Sequence, residues 1–208
     1  MSDIIFISGI DTDAGKTYAT GIIARRLMAE GKSVITQKFI QTGNTDMSED
    51  ILKHREITGT GLLPEDTARL TAPVIFTYPA SAQLAAKLDG KSIDLDLIDR
   101  CSRQLSERYD TVLVEGAGGL MVPITDDFFT IDYVTTRRMP LILVTNGVLG
   151  SINHTLLSLE AIKSRGIRLL EVVYNTFFDN DKIIAADTSS FIKRYIERNF
   201  IGVKFTTI

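Results

Sequence analysis

A glycine, a lysine and a threonine stand together at Gly15, Lys16 and Thr17, in a pattern typical of phosphate binding. They follow the apolar run 4–7 and precede a helical pattern, so the stretch is predicted to form strand, loop and helix. Backbone N–H groups and the helix dipole favour an anion at such a helix start. The glycine lets the backbone approach closely, the lysine reaches terminal phosphates, and the hydroxyl can ligate Mg²⁺. We therefore predict a nucleotide phosphate site.

The loop departs from the usual phosphate-loop pattern in one respect. Five residues separate Gly9 from Gly15, one more than in the pattern GxxxxGK[ST]. The alternative is a chance GKT tripeptide at a helix start. A predicted strand before it and an amphipathic helix after it favour nucleotide binding.

A second lysine, Lys38, follows a β-branched stretch that predicts a strand over residues 32–37. Ligands of open α/β sheets bind outside the carboxyl ends of the strands. Lys38 can therefore face the same site as Lys16. The alternative is a solvated surface lysine, and both interpretations stay open at this stage.

Two acidic residues are candidates for the metal. Asp50 lies in the first turn of a helix predicted to be capped by Ser48, so it is either a helix-start acid or a Mg²⁺ ligand. Glu115 ends the buried strand 112–114, where phosphate-loop proteins place an acid that holds the metal or its water. The glycines that follow Glu115 let the backbone come close to phosphate or substrate.

The two histidines carry weaker signals. His54 has no partner at metal-ligand spacing, and we expect it to be solvent-facing or structural. His154 lies near the start of a predicted helix, and we expect a capping or core histidine.

The elements that position these residues alternate between strand and helix. Further strands are predicted over residues 140–145 and 169–174, and a last helix over 181–198. The alternation predicts an α/β protein with a three-layer P-loop NTPase-type fold, whose mostly parallel central sheet is covered by helices on both faces. We expect residues 1–208 to form a single P-loop domain.

Composition and net charge indicate which partners and which cellular location to expect. The chain has 208 residues, 44% of them hydrophobic and 24% charged, and a formal net charge of -3. That balance gives no support for nucleic acid or a membrane surface as the main partner, since either would favour a basic patch. Without an apolar run of roughly 18 residues we expect no membrane span and a cytoplasmic protein.

Four blocks of sequence together resemble the dethiobiotin synthetase family. They are GIDTDAGKT at 9–17, residues 38–43, VEGAGGLMVPI at 114–124 and LGSINHTLL at 149–157. They span most of the chain. The resemblance implies a homodimeric enzyme that converts diaminopelargonic acid, CO₂ and MgATP into dethiobiotin, ADP and phosphate.

The resemblance also implies roles for individual residues. The ATP phosphates would be held by Asp13, Ala14, Gly15, Lys16, Thr17 and Tyr18, with Gly116, Ala117 and Gly118 beside the nucleotide. Mg²⁺ would be bound by Thr17, Asp50 and Glu115, and Asn175 would meet the adenine. Lys38 and Lys16 would be catalytic. Thr12 and Thr42 would contact the diamine, and the backbone of Ser151, Ile152 and Asn153 would receive the substrate carboxylate across the dimer interface.

Two positions depart from the family pattern. Phe39 stands where the family usually has proline, which predicts a shifted loop after Lys38. Residues 201–208 lack the proline-containing segment that commonly flanks the base, which predicts a looser adenine site or acceptance of other nucleoside triphosphates.

A regulatory or partitioning P-loop ATPase, which switches partners instead of making a product, is the alternative function. Such proteins commonly carry a second lysine early in the loop. The segment from Gly9 to Ala14 contains none.

Overall fold

The structure is a computed structural model that describes residues 3–208. Eight strands and eight α-helices follow one another along these residues. The strands are β1 Asp3–Gly9, β2 Val34–Lys38, β3 Gln41–Thr42, β4 Ile75–Phe76, β5 Thr111–Gly119, β6 Leu141–Asn146, β7 Leu169–Asn175 and β8 Lys204–Thr207. The helices are α1 Lys16–Ala29, α2 Glu49–Thr58, α3 Pro64–Thr67, α4 Ala82–Leu88, α5 Leu95–Ser106, α6 Thr130–Thr136, α7 Ser151–Ser164 and α8 Lys182–Asn199.

Six strands form the central sheet in the order β2-β5-β1-β6-β7-β8. Every pairing in it is parallel. This confirms the predicted α/β class, because parallel neighbours require crossover connections, and helices form them. β3 and β4 form a separate two-stranded parallel sheet.

Adjacent residues of the central strands face opposite layers. Phe6 of β1 belongs to a buried apolar cluster that includes residues of α5, α7 and α8, whereas its neighbour Ile7 belongs to a second cluster that includes residues of α1. Both side chains are fully buried. The strands are almost continuously apolar because both faces of the sheet are covered, as the three-layer prediction requires.

Several of the candidate functional residues lie at or near the carboxyl ends of the strands. Gly9 ends β1 and Lys38 ends β2, beside Glu115 of β5. The sequence predicts that this strand ends at Glu115, but β5 continues through the following glycines to Gly119. Parallel pairing with β1 holds this extension in place.

The helix that the sequence predicts after Ser48 is α2. Ser48 caps this helix as predicted, since its hydroxyl accepts the N–H of Ile51 at 3.2 Å. Arg55 holds α2 onto β2 through Thr36 and onto α3 through a buried ion pair with Asp66 at 2.8 Å. α2 is thereby fixed beside the carboxyl end of β2.

Candidate nucleotide and metal site

The phosphate loop joins β1 to α1. Gly15 caps α1 with a φ of 84°, in the left-handed region that favours glycine. A Cβ atom added there would lie 2.0 Å from Nδ2 of Asn175. Position 15 therefore requires glycine for two reasons: the backbone conformation of the loop and its close contact with the end of β7.

Lys16 folds back over this loop. Its ammonium donates to the carbonyl oxygens of Asp11 at 2.8 Å and Thr12 at 2.9 Å. Burial and the nearby charge of Lys38 lower the pKa of Lys16 to about 8. Asp11 itself is exposed, so its side chain turns away from the loop interior.

Three oxygen-bearing side chains from different elements meet next to the loop. The hydroxyl oxygen of Thr17 lies 2.9 Å from both Asp50 Oδ1 and Glu115 Oε1, so its single proton is available to either carboxylate. α1, α2 and β5 each supply one of these residues. Carboxylate and hydroxyl oxygens are the ligands that Mg²⁺ prefers, so this set fits the metal that the sequence predicts.

Among residues 3–208, no group of three or more His, Cys, Asp and Glu side chains is arranged to hold a metal ion. Mg²⁺ usually takes one or two carboxylates and completes its shell with waters and phosphate oxygens.

Lys38 lies between the two carboxylates. Its Nζ is 2.5 Å from Asp50 Oδ2 and 2.8 Å from Glu115 Oε1, and the side chain is almost fully buried. It is therefore not the solvated surface lysine that the sequence left possible. Burial alone would lower the pKa of Lys38, but Glu115 and Asp50 outweigh burial and raise it above its ordinary value.

Glu115 is the centre of this charge cluster. Burial would raise the pKa of its carboxyl, but the charge of Lys38 and the hydrogen bond from His54 prevail and hold the pKa well below its ordinary range. The residue is fully buried. It is therefore an ionised carboxylate that faces a lysine and a hydroxyl.

The segment after Lys38 is anchored by aromatic packing. The ring of Phe39 is buried, with its centroid 4.6 Å from that of Tyr133 and 5.5 Å from that of Phe6. Its backbone N–H donates to the carbonyl of Glu115 at 2.8 Å. The aromatic side chain at position 39 thus anchors the segment after Lys38 in the core.

A cavity of about 530 Å³ opens over the loop and the charge cluster. Eleven of the predicted residues line it, namely Thr12, Asp13, Gly15, Lys16, Thr17, Lys38, Thr42, Asp50, Glu115, Ala117 and Gly118. The sequence did not single out three other lining residues, Ile40, Gln41 and Phe178. The cavity joins the phosphate loop to the segment after Lys38.

The other predicted nucleotide residues lie outside this lining. Ala14 is buried in the core and Tyr18 is partly exposed on α1, while Gly116 packs against Phe6. Asn175 is buried behind Gly15, and its Oδ1 accepts the N–H of Phe177 at 3.0 Å.

The predicted carboxylate-binding residues begin α7, outside the first cavity. The N–H of Ser151 donates to the carbonyl of Val148 at 2.9 Å, and its hydroxyl donates to Asn146 at 2.5 Å. Ile152 and Asn153 follow it in the first turn. A second cavity, of about 420 Å³, lies against α7 and is lined by Asp11, Met121, His154 and Leu157 among others.

The structure favours the structural interpretation of His54 and contradicts the prediction for His154. His54 is fully buried, not solvent-facing, and its Nε2 lies 2.7 Å from Glu115 Oε2. Its spacing of one helical turn from Asp50 was the only sequence signal that could have placed it near the site. His154 is neither capping nor core: its side chain is half exposed, with Nδ1 3.9 Å from Asp11 Oδ2.

None of the helices that the structure describes, within residues 3–208, is long and apolar enough to span a bilayer.

Comparison with known proteins identifies relatives across nearly the full chain. A family model described as an AAA domain matches residues 3–203. The ATP-dependent dethiobiotin synthetase BioD 2 of Pasteurella multocida is 49% identical over 95% of this chain and 93% of its own length. The protein of the same name from Haemophilus influenzae is 53% identical over 88% of this chain and 96% of its own length.

Solved structures show the same fold. The structure of pNOB8 ParA bound to nonspecific DNA gives a TM-score of 0.57 at 20% identity, over 98% of this chain and 78% of that chain. At this identity the likeness concerns the fold alone.

Proposed function

The chain belongs to the ATP-dependent dethiobiotin synthetases, a family of ligases in biotin biosynthesis, and we propose that its reaction takes place in the cavity above the phosphate loop. Diaminopelargonic acid, CO₂ and ATP are the proposed substrates. The observation that carries this proposal is the convergence of Thr17, Lys38, Asp50 and Glu115 beside that loop.

Three side chains hold Mg²⁺ in this proposal. Thr17, Asp50 and Glu115 present oxygens that already lie within hydrogen-bonding distance of one another, which suits a hard cation. Bound there with the nucleotide, Mg²⁺ would supply charge neutralisation on the β- and γ-phosphate oxygens.

The reaction needs no protein nucleophile. One neutral amine of the substrate adds to CO₂ and loses a proton, which gives a carbamate. The carbamate oxygen attacks the γ-phosphorus in line and ADP leaves, which gives a carbamic-phosphoric anhydride. The second amine attacks the carbonyl carbon, phosphate leaves with the bonding pair, and the five-membered ring closes with loss of a proton.

The two lysines provide positive charge where phosphoryl transfer creates negative charge. Lys16 comes from the loop and Lys38 from the end of β2, so they approach the cavity from different elements. Phosphoryl transfer is mainly a matter of positioning and electrostatic stabilisation. We assign both lysines catalytic roles on this ground.

The remaining assignments follow the family resemblance. Asp13 to Tyr18 and residues 116–118 surround the phosphates, and Asn175 lies at the base. Thr12 and Thr42 contact the diamine, and the backbone of residues 151–153 receives the substrate carboxylate from the partner in a homodimer. Exposed apolar residues around α7 support a dimer, since Leu149 and Leu157 are 83% and 62% exposed. We further propose a single-domain cytoplasmic enzyme without nucleic-acid or membrane partners.

The test is phosphate release from MgATP and bicarbonate, with and without diaminopelargonic acid, followed by mass spectrometry of the product. We expect release to depend on the diamine and the product to contain the added carbonyl. ATP turnover that is indifferent to the diamine would instead support a switch ATPase.

A further inference from the structure

A buried histidine faces the side of Glu115 that points away from the cavity. His54 Nε2 lies 2.7 Å from Glu115 Oε2, and neither residue is exposed. His54 and Asp50 lie four residues apart on α2, so one face of this helix approaches the charge cluster with both side chains.

The hydrogen-bond pattern defines how His54 contacts the carboxylate. Its other nitrogen, Nδ1, is buried and has no partner in the part of the chain that the structure describes. An ionised carboxylate oxygen can only accept, so the imidazole donates from Nε2 to Glu115, an assignment made from the network of neighbouring atoms.

The two oxygens of Glu115 have different surroundings. Oε1 accepts from Lys38 Nζ at 2.8 Å and lies 2.9 Å from Thr17 Oγ1, on the side of the cavity. Oε2 accepts from His54. The final torsion of a glutamate is broad and roughly two-fold, so the plane of this carboxylate is set by its hydrogen bonds.

We propose that His54 is a positioning residue that fixes the plane of the Glu115 carboxylate, so that Oε1 stays directed at the bound metal. This inference rests on the metal-binding role proposed for Glu115. Without the imidazole donor, Oε2 would be a buried carboxylate oxygen without a hydrogen bond, and the carboxylate would rotate to share Lys38 or Thr17 between its two oxygens.

The test compares His54→Leu, which has similar bulk and no donor, with His54→Gln, whose Nε2 reaches about as far as the imidazole Nε2. Binding of Mn²⁺ to the full chain with ADP is followed by electron paramagnetic resonance. We expect about 10–100-fold weaker Mn²⁺ binding for His54→Leu, the usual effect of removing a hydrogen bond to a metal ligand. His54→Gln should retain most of the affinity.

A purely structural role gives a different result. In that case both variants lose thermal stability, but the folded protein binds Mn²⁺ as tightly as the parent does. Its affinity for ADP, measured in excess chelator, also stays at the parent value. This result would overturn the proposal. Should His54→Leu fail to fold, His54→Asn replaces it, because the shorter amide cannot reach Glu115. Equal Mn²⁺ affinity in the Asn and Gln variants would then contradict it.

Glu115→Gln separates this inference from the proposed function. If Glu115→Gln weakens Mn²⁺ binding and His54→Leu does not, only the role of His54 is wrong. If Glu115→Gln leaves binding unchanged, both the metal role of Glu115 and the inference about His54 are wrong. The Mn²⁺ measurement needs no diamine, so an absence of dethiobiotin formation would overturn the proposed reaction alone.

Discussion

Lys38 and Glu115 lie opposite each other in the register of β2 and β5, with 2.8 Å between Nζ and Oε1. A buried ion pair therefore joins the carboxyl end of β2 to the neighbouring strand β5 beside the phosphate loop. The pair places a fixed positive charge where the nucleotide would bind, and it explains why a lysine this deeply buried stays charged.

Replacing this lysine tests its proposed catalytic role. Lys38→Gln should reduce kcat by about 100-fold or more, the usual cost of losing one electrostatic contact to a transition state. ADP affinity, measured by calorimetry, should change little, because the phosphate loop is intact. Lys32→Gln, at an exposed turn, is the control. Unchanged turnover in Lys38→Gln would exclude the catalytic role.

Alanine substitution should have different effects at two glycines that have similar backbone angles. Gly15 and Gly31 have φ values of 84° and 86°, but an added Cβ would collide with Asn175 only at Gly15. Gly31→Ala should therefore cost about 1–2 kcal/mol of stability and retain ADP binding. Gly15→Ala should lose ADP binding. Calorimetry measures the ADP affinity and urea denaturation the stability of each variant. Normal ADP binding by Gly15→Ala would contradict this account of the loop.

Nucleotide binding should depend on pH through Lys16, whose pKa is about 8 in the structure. Below that pH the ammonium is charged and can bind phosphate; above it the lysine loses its proton. Phosphate favours the charged form, so ADP affinity should fall as the pH rises above about 8, with proton uptake on binding. Calorimetry at pH 9 in two buffers of different ionisation enthalpy measures this uptake. Equal heats of ADP binding in the two buffers would refute this proton uptake.

The anchor of α2 gives a prediction about stability. Burial would raise the pKa of Asp66, but its hydrogen bonds with Arg55, Leu63 and Thr71 lower it below its ordinary value. The stabilisation by Asp66 is therefore complete above the unfolded pKa, about 3.9, and is lost as the pH falls through the folded value.

Asp66→Asn leaves the buried Arg55 without its counter-charge. It should cost about 3–5 kcal/mol in the free energy of unfolding at pH 7, and the difference from the parent should shrink below pH 4. Urea denaturation at both pH values measures this. A difference that is constant with pH would show that the charge of Asp66 does not contribute.

The protein should discriminate only weakly between nucleoside triphosphates with different bases. Near this end of β7, Asn175 Oδ1 accepts the N–H of Phe177, the Thr176 hydroxyl donates to the Ile208 carbonyl, and Asp179 Oδ1 accepts the Tyr174 hydroxyl. Phe178 lines the cavity beside Gly15. Aromatic contacts tolerate every base, so kcat/KM for ATP, GTP and CTP should lie within about tenfold of one another.

Removing the ring of Phe178 should weaken the binding of ATP, GTP and CTP to a similar extent. Phe178→Ala should cost about 1–3 kcal/mol in binding. Phe177→Ala, at an 81% exposed neighbour outside the cavity lining, is the control. A strong preference for ATP that survives Phe178→Ala would show that another group recognises the base.

The sequence by itself determined the strand, loop and helix around Lys16, the alternation that predicts a parallel sheet, and the candidate residues Lys38, Asp50 and Glu115. These follow from local patterns and from blocks of sequence that a family shares. Strand ends of a parallel sheet meet at one edge, so Lys38 and Glu115 could be expected near the loop before their contact was seen.

Only the tertiary structure decided that His54 is buried against Glu115 and that Asn175 lies against Gly15. His54 and Glu115 are 61 residues apart in sequence, and their contact depends on α2 being held onto β2 by Arg55. The spacing of His54 one helical turn from Asp50 places both on one helix face, but it does not predict the contact with Glu115. The contact arises because folding packs one face of α2 against the sheet, and a histidine buried there must find a hydrogen-bond partner.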